Sequence, residues 1–422
     1  MIRSARVLSP LALLIVVWVI TIVVALLPLA FPVTFDISLA LLRRQGMTPE
    51  DFSWIGLAWL CLAFGIFAVA SLTTLQVMRP QKPFRGDMDF NRMARINFTV
   101  GLGLQGITLL WVLLTARELG GIGALAVLVQ LDALEAREQL LDNTLFVGMR
   151  IIYGALPAVG AMAATLLAAG AKTGRLGATE RRMSKAIFLA TLVLLLILPI
   201  VMSQRLLLLQ LIIASYVGLC MVHQRLVGQR YVPLGIGLFM FTWLAREALT
   251  NPTVDGGPLE VGIEKLVFYF LNDLLNSFMP FGHDFDHTYG YFSFRFLVYF
   301  TLTDGYFATL LRDELDLIGA IRGGGAWSVF TTPYVDFGAV GAAFYLTILS
   351  VLVTAAYRKA SESPVSAAIY GHVAAALLLS PHTMYFGHAN FIAMLIVTAV
   401  VGAFGRHQGT TSRVQSPQSP TS

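Results

Sequence analysis

Ten apolar stretches, each close to the length that crosses a bilayer, leave this chain one way to fold. In lipid the backbone must satisfy its own N–H and C=O groups, so each stretch becomes a helix. Their approximate limits are Leu8–Ala30, Phe52–Gln76, Ile96–Ala116, Phe146–Ala169, Ala186–Met202, Leu206–Val222, Tyr231–Leu249, Pro333–Ala356, Val365–Ser380 and Asn390–Phe404. Hydrophobic residues make up 57% of the chain and charged ones 13%, a balance that excludes a soluble domain. The expected fold is an all-α, polytopic membrane protein of about ten spans. Pro157, Pro199 and Pro233 fall in or near spans, where membrane helices tolerate them. The first stretch is too long for a signal-peptide core and is read as a retained helix. Cys61 and Cys220 lie inside apolar runs and offer no disulfide framework or metal spacing.

Charge sets the expected topology. With both termini in the cytoplasm, the cytoplasmic segments hold 18 of the 29 Lys and Arg residues but 4 of the 24 acids. That places +14 on the inner side and −9 on the outer side, which is the positive-inside pattern. The basic balance therefore reads as topology and implies no nucleic acid. One transmembrane domain is expected over residues 1–405, followed by a polar, Ser/Pro-rich, disordered tail at 406–422. Two outer segments stand out. Residues 117–145 read as an amphipathic helix on the outer face, with Leu125, Leu128, Leu131 and Leu134 opposite Asp132, Glu135 and Glu138. Residues 250–332 form a large outer loop. Its apolar stretches, Leu266–Phe281 and Tyr291–Leu311, read as interfacial or re-entrant helices; if both crossed, the count would rise to twelve.

Residues able to do chemistry gather on the outer side. Asp336 stands at the mouth of a span, between Tyr334 and the glycines Gly338 and Gly341. A carboxylate there is costly unless it is paired, hydrated or functional; a helix cap with a packing face is the plainer alternative. Arg205 sits in a tight turn between two spans, placed either to snorkel or to hold a lipid phosphate. The run Gly282-His283-Asp284-Phe285-Asp286-His287 offers general bases, and its His-x3-His spacing resembles metal ligation less than it does a solvated turn. Arg295, Arg312 and Arg322 bring positive charge into an acidic loop, and Gly323-Gly324-Gly325 follows Arg322 as an anion wrap or a hinge. The turn Pro381–His388 adds two histidines and a Tyr–Phe pair, suited to interface anchoring or to stacking on a sugar. No nucleotide-binding motif is present, so no nucleotide cofactor is expected.

The segment Ser328-Val329-Phe330-Thr331-Thr332-Pro333-Tyr334-Val335-Asp336-Phe337-Gly338-Ala339-Val340-Gly341 resembles the N-x-[FY]-T…Y-x-D-[FL]-G-x-x-G stretch of the Wzy-type oligosaccharide repeat unit polymerases, or O-antigen polymerases. Ser328 stands where that family carries Asn. The turn Ser203-Gln204-Arg205 and the ELGGIGAL start of the amphipathic segment are similar too. An Arg-x10-Gly pattern linked to some of these polymerases occurs as Arg137…Gly148 and Arg312…Gly323. With 37 Gly in 422 residues, it adds little.

The resemblance implies a GT-C-like membrane glycosyltransferase in the bacterial cytoplasmic (inner) membrane. It implies transfer of a growing glycan from undecaprenyl pyrophosphate to an incoming lipid-linked repeat unit. Partners would be those lipid-linked oligosaccharides, membrane lipids, a chain-length regulator and a flippase, with no metal. Arg205 and Arg312 would hold pyrophosphate, with Arg137, Arg295 and Arg322 in support. Asp336 would position Tyr334 and the loop, or contact the acceptor. His283, His287 and Asp304 are the alternatives for a base. A flippase for lipid-linked glycan and an O-antigen ligase are the competing readings. No internal repeat of the kind transporters carry is evident.

Overall fold

The structure is a computed structural model, and it describes residues 5–79, 84, 88–121, 123–124, 127, 149–202, 206–250, 257–322 and 326–405. The tail 406–422 and nearly all of 117–145 beyond the end of a long helix lie outside these residues. Among the described residues there are helices and no strands.

Eight of the helices among the described residues are long and apolar enough to cross a membrane. They are built on α1 (Pro10–Ala30), α3 (Trp54–Val77), α4 (Phe90–Glu118), α6 (Leu156–Thr173), α7 (Ala178–Met202), α8 (Leu206–His223), α9 (Val232–Thr250) and α14 (Thr332–Lys359). Shorter helices intervene: α2 (Asp36–Arg44), α5 (Met149–Gly154), α10 (Gly257–Asn276), α11 (Arg295–Phe300), α12 (Asp304–Leu310) and α13 (Arg312–Arg322). Two apolar helices close the chain, α15 (Pro364–Leu378) and α16 (Ala389–Phe404). The ten expected spans thus divide into eight long helices and two short ones. Local chemistry sets several starts: Ser9 before Pro10, Ser53, Asp89, and Ser363 before Pro364 each accept a first-turn N–H.

The helices pack through small and hydroxyl residues, as expected where lipid supplies little hydrophobic drive between helices. In α15, Gly371 meets the backbone of Ala214 in α8 so closely that a Cβ would lie 2.4 Å from the Ala214 carbonyl oxygen. Along α3 and α14, Ser71 bonds Thr354 (3.0 Å), Ser350 donates to the Phe67 carbonyl (2.7 Å), and Arg358 donates to the Leu75 carbonyl.

The 250–332 connection departs from a simple loop. Its first apolar stretch lies in α10, which packs along α1 and is tied to α2 where Ser38 donates to Glu264 (2.9 Å). Glu260, Glu264, Lys265 and Asp273 keep α10 out of the spanning class. Its second stretch breaks into α11 and α12, six and seven residues long, at about 1.5 Å per residue too short to cross. The end of the bundle that carries this connection is called the loop end below. There α15 stops beneath the 327–331 segment. Val329 N–H donates to the Ser380 carbonyl (2.9 Å), and the Trp18 indole donates to the Ser380 hydroxyl (3.1 Å).

Candidate active site

Two polar centres meet at the loop end. The first is built around Asp336. The helix α14 starts at Thr332, with Pro333 in its first turn, and breaks at Gly338, whose φ of +67° and ψ of −175° lie outside the helical range. The break turns the Val335 and Asp336 carbonyls toward the 287–293 loop. Val335 accepts from Thr288 N–H (3.4 Å) and Asp336 from Tyr289 N–H (2.9 Å). The Asp336 side chain is fully buried. It accepts from Thr288 Oγ1 (2.5 Å), Phe292 N–H (3.2 Å) and Ser293 N–H (2.6 Å). Three donors therefore converge on one carboxylate, which clamps the loop to the helix.

His287 is the chemical residue this clamp positions. Its Nδ1 faces the Val335 carbonyl at 3.2 Å, which selects the Nδ1–H tautomer and leaves Nε2 with its lone pair. A Cβ at position 338 would lie 2.7 Å from that Nε2. Gly338→Ala is accordingly expected to destabilise the protein by about 1–3 kcal/mol from backbone strain alone. It should also displace His287. Thermal unfolding of the purified variant, with the His287 imidazole shift read by NMR, checks both effects.

Tyr334 lies in a cluster with Phe281 (4.3 Å between ring centroids) and Trp59 (5.2 Å), and its ring reaches to 6.3 Å from His287. Asp304 accepts from Tyr291 Oη–H (3.0 Å). The Arg295 guanidinium lies over the rings of Tyr291 and Tyr299 and donates to Tyr299 Oη (3.2 Å). Because Tyr291 and Phe292 are adjacent, this group and the Asp336 clamp are neighbours. His283 is exposed and apart from them. Arg312 is exposed and lies 3.9 Å from Asp316 on its own helix, a surface pair worth little. Arg205 and Arg137 lie outside the described residues, as do Gly323–Gly325 and the surroundings of the Arg322 side chain. Among the described residues, His283 and His287 join no group of three metal-ligating side chains.

The second centre escaped the sequence reading. On α10, Asp273 is almost fully buried, and both its carboxylate oxygens face His382 Nδ1 at 3.0–3.1 Å. The His382 side chain is 32% exposed, so the ring is held at one nitrogen and reaches solvent in part. Burial raises the pKa of Asp273, and His382 offsets part of that rise. Burial works to lower the pKa of His382, but the charge and hydrogen bond of Asp273 outweigh it and hold the imidazole above its ordinary value. Tyr269 packs edge-on against His382 (6.0 Å) and against Trp243 of α9 (5.4 Å). One turn beyond Trp243, the buried Arg246 guanidinium donates to the Ile200 carbonyl (2.8 Å) at the end of α7, a favourable place for a cation. Glu247 pairs with Lys265 at 2.6 Å. Ser277 links the two centres: its hydroxyl donates to the Asp273 carbonyl and its own carbonyl accepts from Thr331.

No family model, no curated protein and no solved structure matches this chain.

The chemistry open to the second centre follows from its geometry. An imidazole fixed by a carboxylate at Nδ1 presents Nε2 for proton transfer. Aromatic faces beside it suit the apolar face of a sugar ring. The sequence signal was Asn272-Asp273 and Asn276-Ser277, four polar residues in the otherwise apolar Leu266–Phe281 run. Its partner, His382, lies more than a hundred residues downstream.

Proposed function

We propose that this protein is a membrane glycosyltransferase. In this reading it joins undecaprenyl-pyrophosphate-linked oligosaccharide repeat units into a polysaccharide at the outer face of the bacterial cytoplasmic membrane. The observation that carries the reading is the Asp273–His382 pair, set beside Tyr269 and Trp243 at the end of the bundle whose connections are rich in acids. The acceptor hydroxyl attacks the anomeric carbon of the donor glycan, the bond from that carbon to pyrophosphate breaks, and His382 takes the hydroxyl proton. His287 is the alternative base. Arginines stabilise the charge developing on the departing pyrophosphate, with Arg205 and Arg312 as the first candidates and Arg137, Arg295 and Arg322 in support. Asp336 acts through the loop it clamps and is a positioning residue.

The test is the length of lipid-linked glycan in a deletion strain complemented with wild type, His382→Ala or Arg205→Ala. The polymerase reading expects single repeats in the deletion strain and in both variants, at normal protein levels, and long chains with wild type. Long glycans left on the lipid carrier would make the protein a ligase. Repeats stranded on the cytoplasmic face would make it a flippase.

A further inference from the structure

The stretch 289–311, which includes α11 and α12, exposes more large apolar surface than a water-facing element sustains. Phe294, Leu297, Phe300, Leu302, Tyr306 and Leu310 all point outward, and Leu302 is 89% exposed. Leu302 also holds a φ of +57°, and Tyr289, 80% exposed, holds +49°. Both are strained for residues with a side chain, and both spend that strain presenting an apolar or aromatic group to the outside.

Most polar groups of the stretch are satisfied within it. Its only two charged residues are Arg295 and Asp304. Arg295 lies over two tyrosine rings, and Asp304 accepts from Tyr291. The hydroxyls of Thr301 and Thr309 return to the carbonyls of Leu297 (2.6 Å) and Gly305 (2.8 Å), and Thr303 bonds Thr301 (2.8 Å). That is the internal satisfaction that lipid demands and water does not.

The exposed face is continuous with the side of a spanning helix. Phe294 packs on Phe337 (6.1 Å) and Tyr345 (5.7 Å) of α14. Val340 and Phe344, next to them on α14, are exposed. On the far side the apolar face stops at Arg312, where α13 begins with exposed charges.

We propose that α11 and α12 lie immersed in the bilayer leaflet at the loop end, as an interfacial hairpin with Leu302 and Tyr306 among the acyl chains. The occupant of this face is lipid.

The test uses the full chain in vesicles of phosphatidylcholine and phosphatidylglycerol. Cys61→Ser and Cys220→Ala clear the background, and a fluorescent NBD group is attached at Leu302→Cys or, independently, at Tyr306→Cys. The expected result is blue-shifted emission that is lost to lipids carrying a nitroxide near the top of the acyl chain and is untouched by aqueous iodide. That pattern matches burial of about 5–10 Å at the headgroup–acyl boundary. Asp316→Cys on α13 should behave in the opposite way. Iodide quenching at both 302 and 306 overturns the proposal. So does blue-shifted emission that nitroxide lipids leave unchanged, because protein, such as residues 117–145, would then cover the face.

Discussion

Replacing Asp336 with alanine is expected to destabilise the protein by about 3–5 kcal/mol, because each buried donor left without an acceptor costs about 1–3 kcal/mol. Three donors lose their acceptor at once: the Thr288 hydroxyl and the N–H groups of Phe292 and Ser293. Water cannot replace the carboxylate at low cost, because the site is closed. Asn at 336 should rescue little. It retains one acceptor oxygen but aims an amide donor at a backbone donor. Thr288→Val removes one of the three bonds and should cost only about 1 kcal/mol. Chemical denaturation in detergent, followed by tryptophan fluorescence, ranks the three variants. A Thr288→Val variant as unstable as Asp336→Ala would mean that the Thr288 hydroxyl, and not the set of three donors, holds the clamp. Glycan extension should fall with Asp336→Ala even in protein that survives, since the loop carrying His287 loses its hold.

The largest effect on activity is expected at the second centre. If the proposed function holds, His382→Ala should slow polymerisation by about 10²–10⁴-fold, the usual worth of a positioned base. Asp273→Asn separates positioning from mere packing through its pH profile. In wild type, Asp273 holds the His382 pKa above its ordinary value. Only the neutral imidazole accepts a proton, so activity should rise as pH climbs through that raised pKa. Removing the carboxylate charge leaves burial to act alone, and the rising limb should move to lower pH while the maximal rate falls. Initial rates on purified lipid-linked repeat units across the neutral pH range show this directly. A profile unchanged in position would remove His382 from the role of base.

Much of the bundle was legible because apolar length is a local signal. Most spanning helices lie within a few residues of their apolar runs, although α4 and α7 start six and eight residues earlier and α6 ten residues later, and caps such as Ser9-Pro10 and Ser363-Pro364 sharpen the starts. The kink at Gly338 was not legible. A glycine three residues before another reads as a packing face, whereas its positive φ depends on the loop that arrives from residues 287–293. The Asp273–His382 pair was hidden for the same reason. Each half was visible, one as a carboxylate in an apolar run and the other as a histidine in an aromatic turn, but nothing in the chain's order brings them together. Arg246, an arginine near the end of an apolar run, donates to a carbonyl at the end of a neighbouring helix, where its charge serves the fold.

The short helix α15 carries a consequence for where the proposed reaction would take place. Its 15 residues rise about 22 Å, against about 30 Å of hydrocarbon. Because it is surrounded by protein, the shortfall never reaches lipid and the bilayer need not thin to meet it. The missing height is instead filled from within the protein, by the buried 327–331 segment that caps the end of α15. On the proposed reading, a sugar held at His382, just past that end, would sit below the level of the surrounding headgroups while its lipid anchor stayed at its natural depth.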